Sequence, residues 1–191
     1  MLEQVLTEKK AALPVKITVK MLVSAIVIAL AVLLPQVFHA ALGAQGGTAW
    51  LPMYLPVLLG GCLLGTWWGL GVGLLAPLVS FAVTSLAGSA MPAAARLPYM
   101  MAELAVFAAV AGAFSGKILE NGWMAFPAVL LAQTAGRLSF LALAAIFQGV
   151  SPLSAAAAWA QIEAGLLGLF VQAVAVPLLV MGLRLLLIRK K

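Results

Sequence analysis

One carboxylate inside an apolar segment long enough to cross a bilayer constrains this chain more than any other feature. Residues 97–120, LPYMMAELAVFAAVAGAFSGKILE, carry Glu103 well within the run. A charge at bilayer depth costs several kcal/mol, so such residues usually face a bundle interior and mark a ligand, ion or proton site. Arg137, in residues 124–147, is the one cation set inside another such segment. The two groups are expected to frame a pocket for a small molecule.

The rest of the composition agrees with a membrane setting. Of 191 residues, 65% are hydrophobic and 8% charged, with a mean hydropathy of +1.17, whereas soluble domains carry about a quarter charged residues. Spanning helices need about 20 apolar residues each. The expectation is an all-α integral membrane protein of six transmembrane helices, a single domain over 1–191 with spans near 17–38, 50–65, 67–86, 97–118, 124–147 and 157–188. The cations sit at segment ends and not in a patch with interleaved aromatics, which argues against nucleic acid. Lys9, Lys10, Lys16 and Lys20 lie at the start, Lys117 between the fourth and fifth runs, and Arg184, Arg189, Lys190 and Lys191 at the end. By the positive-inside rule those ends, and hence both termini, are cytoplasmic. The opposite connections contain only Arg96. The multi-pass chain is therefore expected in a cytoplasmic membrane, surrounded by lipid.

The first run has a longer apolar core and a longer leader than a signal peptide, so it reads as a span. Within it, Ala25 and Ala29 share a helical face, the small-xxx-small spacing that admits a second helix closely. Residues 39–49, HAALGAQGGTA, are glycine-rich and uncharged and read as an outer loop, either a lid or a plain connector. Pro52 fits a first helical turn and Pro56 a bend. Gly61-x-x-x-Gly65 and Gly69-x-x-x-Gly73 mark close helix contacts. Trp50, Trp67, Trp68 and Trp123 suit an interfacial belt. Residues 112–117, GAFSGK, fall one residue short of a phosphate-binding loop, with Ile118 where a hydroxyl is needed, so no nucleotide site is expected. The single Cys62 reads as a packing residue. With one histidine, His39, and no cysteine cluster, neither a metal nor a cofactor is expected.

Helical rise places the buried polar groups by depth. Glu103 lies roughly 9 Å below the outer end of its span, Arg137 roughly 15 Å below, and Gln133, one turn along the same face, about 21 Å. Gln161 and Glu163 lie about 6 to 9 Å down. Gln161, Gly165, Gly168 and Gln172 form one helical stripe, with the glycines making space, while Glu163 points away. Trp159 is placed to close the cavity from above. The expected lining is thus Glu103, Arg137, Gln133, Gln161, Gln172, Trp50, Trp159 and Tyr99. Two readings stay open. Either Glu103 and Arg137 only neutralise each other between helices, or Arg137 offers its fork of donors, and Glu103 its acceptors, to a polar ligand.

In size, span number and terminal placement the whole chain resembles the substrate-binding S components of energy-coupling factor (ECF) transporters, which import vitamins and related micronutrients in bacteria and archaea. Specific echoes are Ala25-x-x-x-Ala29, residues 51–57 (LPMYLPV), and the Gly60 to Gly73 hairpin followed by Ala76-Pro77-Leu78. The resemblance implies a ligand held toward the outside among spans four to six and the first outer loop. It also implies docking through Ala25 and Ala29 onto a transmembrane coupling subunit driven by two ATPases, and toppling of the loaded subunit to release its cargo. The chain itself would bind and not catalyse. A nucleobase-like ring or a vitamin or cobalamin precursor suits the carboxylate and glutamines, and a ligand carboxylate suits Arg137. The rival classes are a self-sufficient secondary transporter or channel, for which paired broken spans are absent, and an intramembrane enzyme using Glu103, for which a second catalytic carboxylate is absent.

Overall fold

The computed structural model describes residues 1–149 and 153–189. All regular structure among them is helical: α1 (Leu2–Glu8), α2 (Leu13–Trp50), α3 (Tyr54–Leu64), α4 (Thr66–Leu86), α5 (Leu97–Ala113), α6 (Ser115–Glu120), α7 (Ala125–Phe147), α8 (Ala155–Ala164) and α9 (Leu166–Arg189). Short 3-10 turns, Ala94–Arg96 and Gly122–Met124, lead into α5 and α7. Five stretches are long and apolar enough to cross a bilayer: Leu13–Gly43, Thr66–Leu86, Ala94–Ala113, Gly122–Phe147 and Leu166–Ile188. Large apolar side chains such as Leu22, Leu33, Leu178 and Leu186 cover its outer surface, where a soluble protein would place charge. The chain is an all-α membrane protein.

The second expected span is the exception to this pattern. Instead of residues 50–65, α3 covers 11 residues, about 16 Å of helix against a hydrocarbon core of about 30 Å. The missing length belongs to α2. Residues 39–49, expected as a loop, are helical, and α2 runs on to Trp50. Their alanines, Leu42 and Gln45 favour helix, and the break falls at Gly43, whose φ of 71° and ψ of −172° suit glycine. Leu51, with φ 48°, ends the helix in the left-handed region.

Two other spans differ in detail. The fourth stops at Ala113 and resumes after Phe114 as α6, which Arg184 caps by donating to the carbonyls of Leu119 (2.8 Å) and Glu120 (2.9 Å). The sixth begins at Ala155 and is interrupted only at Gly165. The connection expected over residues 149–154 is described only at its ends, and Lys190 and Lys191 lie outside the described residues.

Helix α5 lies between the α3–α4 hairpin on one side and α7 on the other. Glycine makes the first approach possible. A Cβ at Gly73 would stand 2.4 Å from the Leu104 carbonyl oxygen, and one at Gly61 2.5 Å from that of Ala108. Gly69 meets the same Ala108 carbonyl. Gly65 serves differently from the helix contact expected of it: its φ of 88° turns the hairpin. The core between these helices contains Tyr54, Leu58, Cys62, Leu104, Phe107 and Ala108, all buried. At the terminal end, α1 tucks beneath the bundle with Leu2 buried and Glu3 bonded to Lys20.

Candidate functional site

Because α5 and α7 pack side by side, the two charges meet. Gly136 of α7 sits against the Phe107 ring, where a Cβ would come within 2.7 Å, and this close approach brings Arg137 to α5. Its Nη1 lies 2.9 Å from Glu103 Oε1, with Glu103 fully buried and Arg137 only 6% exposed. The other carboxylate oxygen accepts from the Tyr54 hydroxyl at 2.6 Å. The Arg137 guanidinium carbon also stands 4.9 Å from the centre of the Tyr54 ring, which meets Phe107 edge-on at 5.2 Å. A cation over an aromatic face gains electrostatically, so Tyr54 serves both members of the pair.

The Glu103–Arg137 contact is one of charge and distance and lacks directed hydrogen-bond geometry. Among the described residues, Arg137 Nε, Nη1 and Nη2 and Glu103 Oε1 have no hydrogen-bond partner. Coulomb attraction at this separation does not depend on the angle, so the pair holds while leaving donors unfilled. Unfilled buried donors of this kind are rare in folded proteins. Tyr54 was not among the expected site residues, since an aromatic at a span entry has the interfacial belt as its ordinary explanation.

The other expected residues are distributed differently from a single lining. Gln133 Nε2 donates to the Leu169 carbonyl at 3.0 Å and ties α7 to α9. Gln172 Nε2 donates to the carbonyls of Trp50 (3.0 Å) and Leu51 (2.9 Å), closing the end of α2. The stripe on α8 and α9 does face one way, but the space expected between its glycines is filled. A Cβ at Gly168 would lie 2.6 Å from the Ala49 and Trp50 carbonyl oxygens, and one at Gly165 2.7 Å from the Leu51 side chain. Trp50 is half-buried against Phe38. Trp159 is exposed and donates to Glu163 at 2.7 Å. Tyr99 packs edge-on to Phe140 in a separate cluster with Ala144 and Leu153. Ala25 and Ala29 are exposed on α2.

An open cavity of about 300 Å³ lies beside the trio, at the end of the bundle away from α1. Leu51, Met53, Tyr54, Arg96, Met100 and Gln161 contribute to its wall, from the end of α2, the start of α3, the approach to α5, and α8. Of the expected residues only Gln161 lines it; Tyr54, also in its wall, is itself buried and bonds the Glu103 carboxylate through its hydroxyl. Residues 87–96 form one side and are held by Ser80, whose hydroxyl donates to the Met91 carbonyl at 2.9 Å, and by Thr84, whose hydroxyl accepts from the Met91 amide at 2.8 Å. Two larger grooves flank α1, of about 600 and 680 Å³, sharing Val5, Lys9 and Leu187, and contain none of the buried polar groups. No cluster of three or more potential metal ligands occurs among the described residues.

The arrangement offers a small open cavity beside a sealed ion pair. Comparison of the chain with protein-family models, with curated proteins and with solved structures finds no match.

Proposed function

We propose that the chain is the substrate-capturing subunit of a micronutrient importer of the ECF type, with six membrane segments and both termini in the cytoplasm. The observation that carries this reading is the cavity of about 300 Å³ whose inner wall, Tyr54, is bonded to the sealed Glu103–Arg137 pair. Lys9, Lys10, Lys16 and Lys20 cluster at the opposite end, so the positive-inside rule turns the cavity toward the outside. A pocket that opens outward, bounded by apolar wall and a few fixed polar groups, suits capture of a dilute small molecule. The chain offers no nucleotide-binding loop, so the energy for import comes from partner subunits, a transmembrane coupling protein and two ATPases. The exposed Ala25 and Ala29 on α2 give a coupling helix a face without bulky side chains.

The test is direct. The chain is purified in mild detergent from cells grown in rich medium and heat-denatured, and the supernatant is examined by mass spectrometry. One micronutrient-sized compound, near stoichiometric and absent from a mock purification, is the expected result. A chain that releases none and takes up none from a metabolite mixture is not a capture subunit. Uptake by the chain alone in ATPase-free proteoliposomes would identify a self-sufficient transporter instead.

A further inference from the structure

We infer that the cavity takes a small ring-bearing organic anion, a carboxylate or phosphate, with Arg96 as the residue that selects for its charge. The inference rests on the proposed capture function and names the ligand class of that same site.

Arg96 is the charged member of the cavity wall, and no acidic residue accompanies it there. Neither ion pair found among the described residues involves it. Glu163, on neighbouring α8, is engaged by the Trp159 indole. Helix stability does not account for a cation at this position. Arg96 immediately precedes the first turn of α5, where the positive end of the helix dipole disfavours cations and favours anions. Nor does topology account for it, since under the proposed orientation it stands on the side that basic residues avoid. The guanidinium therefore supplies the positive charge at the mouth of the cavity, and its fork of N–H donors matches a carboxylate or a phosphate.

The remaining wall describes the rest of the guest. Met53, Met91 and Met100 line the space. Thioethers are polarisable and adapt to flat rings with favourable sulfur–aromatic contacts. Gln161 also lines the space, and its Oε1 is buried without a hydrogen-bond partner among the described residues. At about 300 Å³ the cavity is at the small end of ligand sites, which fits a molecule of one or two rings. Arg96 is exposed and holds no described partner, so its replacement leaves the fold intact.

The purified full chain, Arg96→Gln, Arg96→Lys and a remote control, Lys117→Gln, are each incubated with the small-molecule fraction of yeast extract and then washed. Retained compounds are identified by exact mass and by retention on an anion exchanger at pH 7. Wild type and the control are expected to retain the same ring-bearing anion, Arg96→Gln to retain at least tenfold less, and Arg96→Lys to recover part of the loss. Exact mass separates a carboxylate from a phosphate. A retained compound that is neutral or cationic, or one retained equally by Arg96→Gln, overturns the inference and leaves the capture function standing. Retention of nothing by the wild type overturns both.

Discussion

Replacing Arg137 with methionine isolates what the buried pair contributes. The substitution keeps the apolar stem and removes the guanidinium, leaving Glu103 fully buried with the Tyr54 hydroxyl as its one remaining bond. At the 2.9 Å separation, an effective dielectric of about 20 gives an attraction of about 6 kcal/mol. Relaxation around the stranded carboxyl returns part of that, so the net loss is about 3 to 5 kcal/mol, the range for breaking one side of a buried pair. For a chain of this size that lowers the melting temperature by about 6 to 20 °C. The assay is thermal unfolding in detergent without added ligand, followed by tryptophan fluorescence. The double variant Arg137→Met with Glu103→Gln removes both charges and is expected to recover most of the loss, because the cost lies in the uncompensated ion. A single variant that melts within about 3 °C of wild type, or a double variant whose loss equals the sum of the singles, would refute the reasoning.

Three further outcomes are expected. Gly73→Ala forces a methyl to 2.4 Å from the Leu104 carbonyl oxygen and separates α4 from α5, whereas Gly71→Ala meets nothing within 4 Å; the first should cost about 1 to 3 kcal/mol in the same unfolding assay and the second nothing of that size. Ala25→Leu and Ala29→Leu, both at exposed positions on α2, should leave ligand capture by purified chain unchanged but abolish import in cells supplying the partner subunits; normal import would remove these residues from the docking face. At the base, the hydrogen bond from Lys20 holds the Glu3 carboxyl below its usual value. Its stabilisation of α1 is thus complete at neutral pH and lost as acid carries the pH down through the lowered value. Amide exchange over residues 2–8 should rise in Glu3→Gln at pH 7, and equal rates in variant and wild type would show that the contact does not hold the helix.

The sequence by itself determined the class of molecule and the identity of its unusual groups. Apolar runs with cations at their ends can satisfy the backbone in lipid only as helices, and a lone Glu103 and Arg137 in two such runs have few ways to be buried except together. The limits of α7 and the presence of close helix contacts at Gly61, Gly69 and Gly73 followed from periodicity and size, which are local properties; that α5 is the partner did not. Tertiary structure decided the rest. Residues 39–49 look like a loop because their glycines are permissive, yet most of them stay helical; Gly43 takes the break, and the end of the helix docks on Gly168 and is held by Gln172. That docking fills the space the glycine stripe promised, and of the stripe only Gln161 lines the cavity. Whether a tyrosine at a span entry faces lipid or a buried carboxylate depends on which helix lies beside it. The same holds for Arg96, whose place at the mouth of a cavity follows from the folding of residues 87–96 against Ser80 and Thr84, contacts between side chains and backbone that no spacing along the chain encodes.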